Sequence, residues 1–358
     1  MLLPKNDLII SSPSHSGKSI KAFACFLCFT LILSLAACQP SPQDRTVVIY
    51  TSVDQHYSEP ILTAFQEKTG IRVRPVFDIE AAKTTGLVNR IIAEKDRPMA
   101  DVFWSGEHVQ TILLKKNSLL APYDSPSAEG IPARYRDRDG FWTGFAGRAR
   151  VLIINTDLLS PEDAPRSIFD LLKPQWPGDK VGMAYPIFGT AATHAAALYA
   201  RLGPEKGKAL YRDLRERGLR IVDGNSVVRD LVAGGQLMMG LTDTDDACGA
   251  KSKGAPVSLV FLDQEEGGMG TLIIPNTVGL IARAPHPEEA KELIDYLLSV
   301  EVEKDLIRSG WCHIPLRRSD TRSACFPDPN VRGMDVDLTR VYEQLMRTKT
   351  ELTDIFVR

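Results

Sequence analysis

Two long extended stretches, residues 141–154 and 271–281, constrain this chain more than any other feature. Each exceeds the five or six residues of an ordinary strand, and together they partition a regular alternation of strands and helices. Before the first stretch come strands at 47–50, 71–77 and 101–104. They alternate with a helix carrying Pro60 in its first turn and stopped by Gly70, and with helices over 87–93 and 109–114. Between the stretches lie strands at 181–185, 219–222, 237–241 and 257–262, and helices over 190–200, 205–217 and 226–233. Helices over 288–298 and 302–307 follow the second. Such alternation builds doubly wound parallel sheets. Two sets joined by two extended connections make an α/β protein of two lobes, with a hinge and a cleft.

Length agrees, since 358 residues exceed what one core usually carries. A net charge of −2 without a basic tract lacks the electrostatic footprint of a nucleic-acid binder. The N-terminus reads as a processing segment. Lys5, Lys18 and Lys21 precede an apolar run over 22–37 that ends in small residues, as a secretory signal does. Its junction, Leu35-Ala36-Ala37-Cys38, resembles the bacterial lipobox, which implies lipidation of Cys38 and a membrane-anchored, periplasmic or otherwise extracytoplasmic protein. A plain signal cleaved near Ala37 is the alternative.

Cys25 and Cys28 leave with that signal, so Cys248, Cys312 and Cys325 remain in an oxidising compartment. Cys312 with Cys325 closes a short loop and is the expected bridge.

The richest chemistry sits at the end of the 237–241 strand, where Thr242-Asp243-Thr244-Asp245-Asp246 follows. Ligands of open α/β sheets bind at carboxyl ends of strands. Three aspartates within four residues need water or a cation to neutralise them. A solvated turn leading into a helix cap is the competing reading. A second signal is Phe188-Gly189-Thr190-Ala191-Ala192-Thr193-His194. Glycine and small residues opening a helix leave backbone N–H groups that, with the helix dipole, form an anion seat. Thr190, Ala191 and Ala192 are its expected contacts, and Asn225 and Ser226 repeat the pattern on the next helix. Arg148 and Arg150 alternate on one strand and share a face, one for an anion and the other for an acid.

Val48-Ile49-Tyr50-Thr51-Ser52, then Gln55-His56, then Phe65-Gln66-Glu67-Lys68-Thr69-Gly70-Ile71 resemble the opening of the ferric-ion-binding periplasmic proteins of ABC importers. Asp101-Val102-Phe103-Trp104 with Glu107, Gly147-Arg148-Ala149-Arg150-Val151-Leu152, and residues 186–192 and 287–299 continue the likeness over nearly all of the mature chain. The resemblance implies a bilobal periplasmic-binding-protein fold, type II-like, that closes over a solute and hands it to a permease and its ATPase. It implies His56 and Glu107 as metal ligands and Arg148 near a synergistic anion.

The sequence departs where that family places an adjacent pair of tyrosines, because carboxylates stand there instead. Asp243 and Asp245 therefore become the proposed ligands, hard oxygen donors that suit iron, manganese, calcium or magnesium. Tyr185 is the nearest phenolate substitute; Tyr57, beside His56, is expected to pack. The expectation is a monomeric lipoprotein receptor for Fe3+ or another hard ion, held with phosphate or carbonate. A receptor for a phosphorylated or phosphonate organic solute is the alternative, and a metal-assisted periplasmic hydrolase the remote one. The expected partition is a signal at 1–37, a tether at 38–45, one lobe from 46–147 plus 276–338, the other from 148–275, and a C-terminal helix over 339–358 packed on the first lobe.

Overall fold

The computed structural model describes residues 45–78, 85–326 and 330–357. The expected signal, Cys38 and nearly all of the tether lie outside these residues. Among the described residues no helix is long and apolar enough to cross a membrane.

The first lobe opens with β1 (Thr46–Thr51), α1 (Gln55–Thr69), β2 (Arg72–Phe77), α2 (Thr85–Ala93), β3 (Val102–Ser105) and α3 (Val109–Lys116). β1 pairs in parallel with β2 on one side and β3 on the other. β3 is buried throughout, as a parallel strand covered on both faces should be. α1 buries Ile61, Leu62 and Phe65, and Gly70, at φ 71°, ends it in the left-handed conformation. The helix starts earlier than the sequence suggests. His56 and Tyr57 lie in its first turn rather than in a loop, and Pro60 sits inside it. A proline there removes only one backbone bond close to a terminus that already lacks partners.

A short β4 (Leu120–Ala121) precedes β5 (Thr143–Asn155), the first long connection. The second lobe continues with β6 (Val181–Ala184), α4 (Gly189–Leu202), α5 (Pro204–Glu216), β7 (Arg220–Val222), α6 (Asn225–Ala233), β8 (Met239–Asp243), α7 (Thr244–Ser252) and β9 (Val257–Val260). β10 (Ile273–Ile281) is the return connection, followed by α8 (Pro287–Leu297), α9 (Val300–Arg308) and α10 (Leu338–Phe356). The strand order is β2-β1-β3-β10-β5-β8-β6-β7. The start of β5 pairs with β10, and its end pairs with β8 and β9, so one strand serves both lobes. Every residue of β5 and β10 is buried.

The two crossovers bend side by side. Ala146 has φ 40°, unusual for a residue with a Cβ, and β10 shifts register between Pro275 and Asn276. The Asn276 amide fastens the bend. Its Nδ2 donates to the Ala146 carbonyl at 2.7 Å and to the Cys312 sulfur at 3.0 Å. Its Oδ1 accepts from the indoles of Trp104 (3.3 Å) and Trp311 (3.1 Å). The Ala146 N–H in turn donates to Glu303 at 3.0 Å.

Two expectations are corrected here. The disulfide joins Cys248 to Cys325, not Cys312 to Cys325. Cys312 is buried in the bend, bonded to Asn276 and Ala146, and so is withheld from its near neighbour in sequence. The last helix packs on the second lobe instead of the first. Its stripe of Val341, Leu345, Leu352 and Phe356 joins the apolar cluster of α4 and α5, with Phe356 edge-on to Tyr211. Toward α3, Lys116 pairs with Glu343 at 3.2 Å and lies 5.9 Å over the Tyr342 ring.

Candidate cation site at the strand ends

β8 stops at Asp243 because the chain turns there into α7, whose first turn carries Asp245 and Asp246. The antiparallel register of β5 and β8 sets Arg150 directly opposite Asp243. The guanidinium donates to Asp243 Oδ1 at 2.8 Å, and both side chains are 3% exposed. Thr190, at the start of α4, donates its hydroxyl to Oδ2 at 2.6 Å. Asn225, at the start of α6, donates its amide to the same oxygen at 3.1 Å and accepts from Arg150 at 3.1 Å. Burial alone would raise the Asp243 carboxyl. Arg150, Arg148 and the Thr190 hydroxyl outweigh it and hold the group below the usual carboxylate range.

Its neighbours are less well satisfied. Asp245 Oδ2 accepts from Arg148 at 3.1 Å, while its buried Oδ1 has no hydrogen-bond partner among the described residues. Burial raises the Asp245 carboxyl, and Asp243 adds to the rise against the pull of Arg148. Asp246 accepts from Thr242 at 3.2 Å and meets Arg229 at 3.4 Å. Burial, then the charges of Asp245 and Asp243, push it up to about 7. One oxygen from each of Asp243, Asp245 and Asp246 lies within 4.8 Å of the others. At such separations and an effective dielectric near 20, each like-charged pair costs about 3–4 kcal/mol. Arg150, Arg148 and Arg229 each supply a counter-charge to one of the three acids. The close carboxylate oxygens are hard donors of the kind that can hold a cation.

Arg148 links this cluster to the first lobe. Its Nη2 donates to the Gly106 carbonyl at 3.2 Å, and its plane lies 4.7 Å over the Trp311 ring. Trp311 continues to Tyr57 at 5.2 Å, and Tyr57 to His56 at 3.8 Å. His56 is thus exposed at the far end of an aromatic chain, outside the carboxylate group. Burial, then Asp245, raises the Tyr57 phenol. Glu107 is not one of the three grouped acids, although the charges of Arg148 and Asp243 reach it. It accepts from Thr193 of α4 at 3.0 Å, a contact between lobes, and burial raises its carboxyl.

The expected anion contacts fare differently. Thr190 and Asn225 do converge, but on the Asp243 carboxylate. Arg148 is engaged with Asp245 rather than turned toward an open seat. The Ala192 amide donates to Phe188 at 3.0 Å and is spent within the helix. The amides of Gly189, Thr190 and Ala191 precede that first bond. Ser226 is exposed, and Tyr185 packs against the apolar cluster of the second lobe. Trp311 and Arg229 carry no sequence motif that marks them. The alternation of Arg148 and Arg150 was the one signal for the paired acids.

A sequence profile described as bacterial extracellular solute-binding protein matches residues 97–324. An Fe(3+)-binding periplasmic protein of Serratia marcescens is 25% identical, over 76% of this chain and 78% of that protein. A putative 2-aminoethylphosphonate-binding periplasmic protein of Salmonella typhimurium is 26% identical, over 80% of this chain and 83% of its own. Iron-bound HitA from Pseudomonas aeruginosa superposes with a TM-score of 0.74 at 23% identity, covering 86% of this chain and 99% of its own, which shows the shared bilobal fold. With two lobes, two crossovers and a profile match over most of its length, the chain belongs to the bacterial extracellular solute-binding proteins.

Proposed function

We propose that this chain is the lipid-anchored receptor subunit of an ABC importer and that its cargo is a hard metal cation, ferric iron foremost. Cys38 would carry the lipid, and a permease and ATPase would be the partners. The observation that carries the reading is the convergence of Asp243, Asp245 and Asp246, with a buried Asp245 oxygen left without a partner among the described residues. Asp245 and Asp246 are the proposed principal ligands, with Asp243 beside them. Glu107, already bonded across the lobes to Thr193, and His56 sit on the opposing lobe and are not counted among the principal ligands. Ferric-binding relatives support the choice of iron. A phosphorylated or phosphonate solute is the weaker reading, because the side-chain donors suited to phosphate, Arg150, Thr190 and Asn225, are bonded to Asp243.

The test is a titration of the chelator-stripped full chain with Fe3+ as its nitrilotriacetate complex, Mn2+, inorganic phosphate and 2-aminoethylphosphonate. Metal should bind, and joint Asp245→Asn and Asp246→Asn should weaken it about 100-fold or more, beyond the loss typical of a merely supporting residue. Chelator-indifferent binding of the phosphonate would favour the organic solute instead. Turnover of a phosphate ester by the metal-loaded chain would revive the hydrolase.

A further inference from the structure

The side chains at the starts of α4 and α6 that could seat an anion already hold one. Arg150, Thr190 and Asn225 approach from three elements and end on the two oxygens of one carboxylate, at 2.8, 2.6 and 3.1 Å. That carboxylate belongs to Asp243, which is 2% exposed. The placement is built into the sheet, since the β5–β8 register sets Arg150 against Asp243. The second arginine of the same strand is committed as well. Arg148 reaches Asp245 and the Gly106 carbonyl, with its face on Trp311.

We infer that Asp243 is a built-in anion that fills this seat, so the receptor takes its metal without a separate phosphate or carbonate. A second anion at the seat would have to displace a buried, triply bonded carboxylate or lie against its charge. The inference rests on the metal reading for its consequence, but not for its geometry. Asp243 acts here as a specificity-determining residue. It keeps Thr190 and Asn225 away from phosphorylated solutes and holds a negative charge next to Asp245 and Asp246.

The experiment has a metal-free and a metal-loaded arm. Calorimetry of the stripped full chain with inorganic phosphate should show no saturable heat, and formate should leave its melting temperature unchanged. Asp243→Ala empties the seat, and formate, a carboxylate small enough to enter it, should then raise the melting temperature saturably. Asp243→Ser, which leaves a hydroxyl for the donors, serves if Asp243→Ala does not fold. In the loaded arm, native mass spectrometry after Mn2+ addition, or after Fe3+ loading and desalting, should find metal with no retained phosphate, carbonate or nitrilotriacetate. Saturable phosphate binding by the stripped wild type, or metal retained only with one anion per ion, overturns the inference. A chain that takes no metal while still ignoring phosphate contradicts the metal reading and upholds the filled seat.

Discussion

Arg148 and Asp245 form an ion pair at 3.1 Å, and the same guanidinium lies 4.7 Å over Trp311. The pair joins the acid cluster of α7 to the aromatic chain that leads to His56. It also gives Asp245 an internal counter-charge, which an incoming cation must replace or share.

Replacing that arginine should therefore separate stability from binding. Arg148→Gln should lower the stability of the metal-free protein by about 1–3 kcal/mol, from a lost charged hydrogen bond and a less compensated carboxylate. It should raise cation affinity about 10-fold, since a competing charge is gone. Urea melts and a metal titration read the two effects. A loss of cation affinity would show that Arg148 supports the bound state rather than competing with it.

Acidity should be coupled to uptake. The Asp246 carboxyl is pushed up to about 7 from an ordinary 3.8. A raised carboxyl favours the fold while protonated. Its contribution is complete below the ordinary value and is lost as pH climbs through about 7. Metal binding must then expel that proton, so apparent affinity should rise between about pH 5 and pH 7 and level off above. Asp246→Asn should flatten that rise. Calorimetry in buffers of different ionisation enthalpy counts the proton directly.

Closure should depend on the contact between lobes. Thr193 donates to Glu107 at 3.0 Å from the opposite side of the cleft. Thr193→Val keeps the shape and removes the donor. It should speed ligand release about 5- to 15-fold, the equivalent of about 1–1.5 kcal/mol withdrawn from the closed state. Stopped-flow chelation measures the rate, and an unchanged rate would mean that this bond exists equally in open and closed forms.

The disulfide should be structural and the third thiol silent. Cys248 sits two residues beyond Asp246 and is bonded to Cys325, 77 residues away. Removing both as Cys248→Ser with Cys325→Ser should cost about 2–4 kcal/mol. Of Cys248, Cys312 and Cys325, Cys312 alone should alkylate, and only after denaturation, since it is buried and its thiol is pushed up by desolvation.

Strand–helix alternation was legible because burial on both faces writes itself as short apolar runs, and the crossovers as long extended runs despite Arg148 and Arg150 in one and Asn276 and Thr277 in the other. β5 and β10 fall within a residue or two of where those runs place them. α1 was harder, since a proline suggests a first turn while Gln55 and His56 give no start signal. The acid trio was legible as a cluster, but its partners were not. That Asp243 meets Arg150 follows from strand register, and that Thr190 and Asn225 meet it follows from two helix starts pointing at one strand end. No local spacing encodes either. The disulfide pairing is hidden from the sequence for a similar reason. Short loop length favoured Cys312, but the bend at Ala146 and Asn276 had already claimed its sulfur.

Anomalous diffraction from crystals of the full chain soaked with Fe3+ or Mn2+ tests the central claim most directly. The account predicts one peak about 2.0–2.6 Å from carboxylate oxygens of Asp245 and Asp246, with Asp243 still bonded to Arg150. A peak held by other residues, or a phosphorylated molecule lodged between Thr190 and Asn225 with Asp243 turned aside, would contradict it.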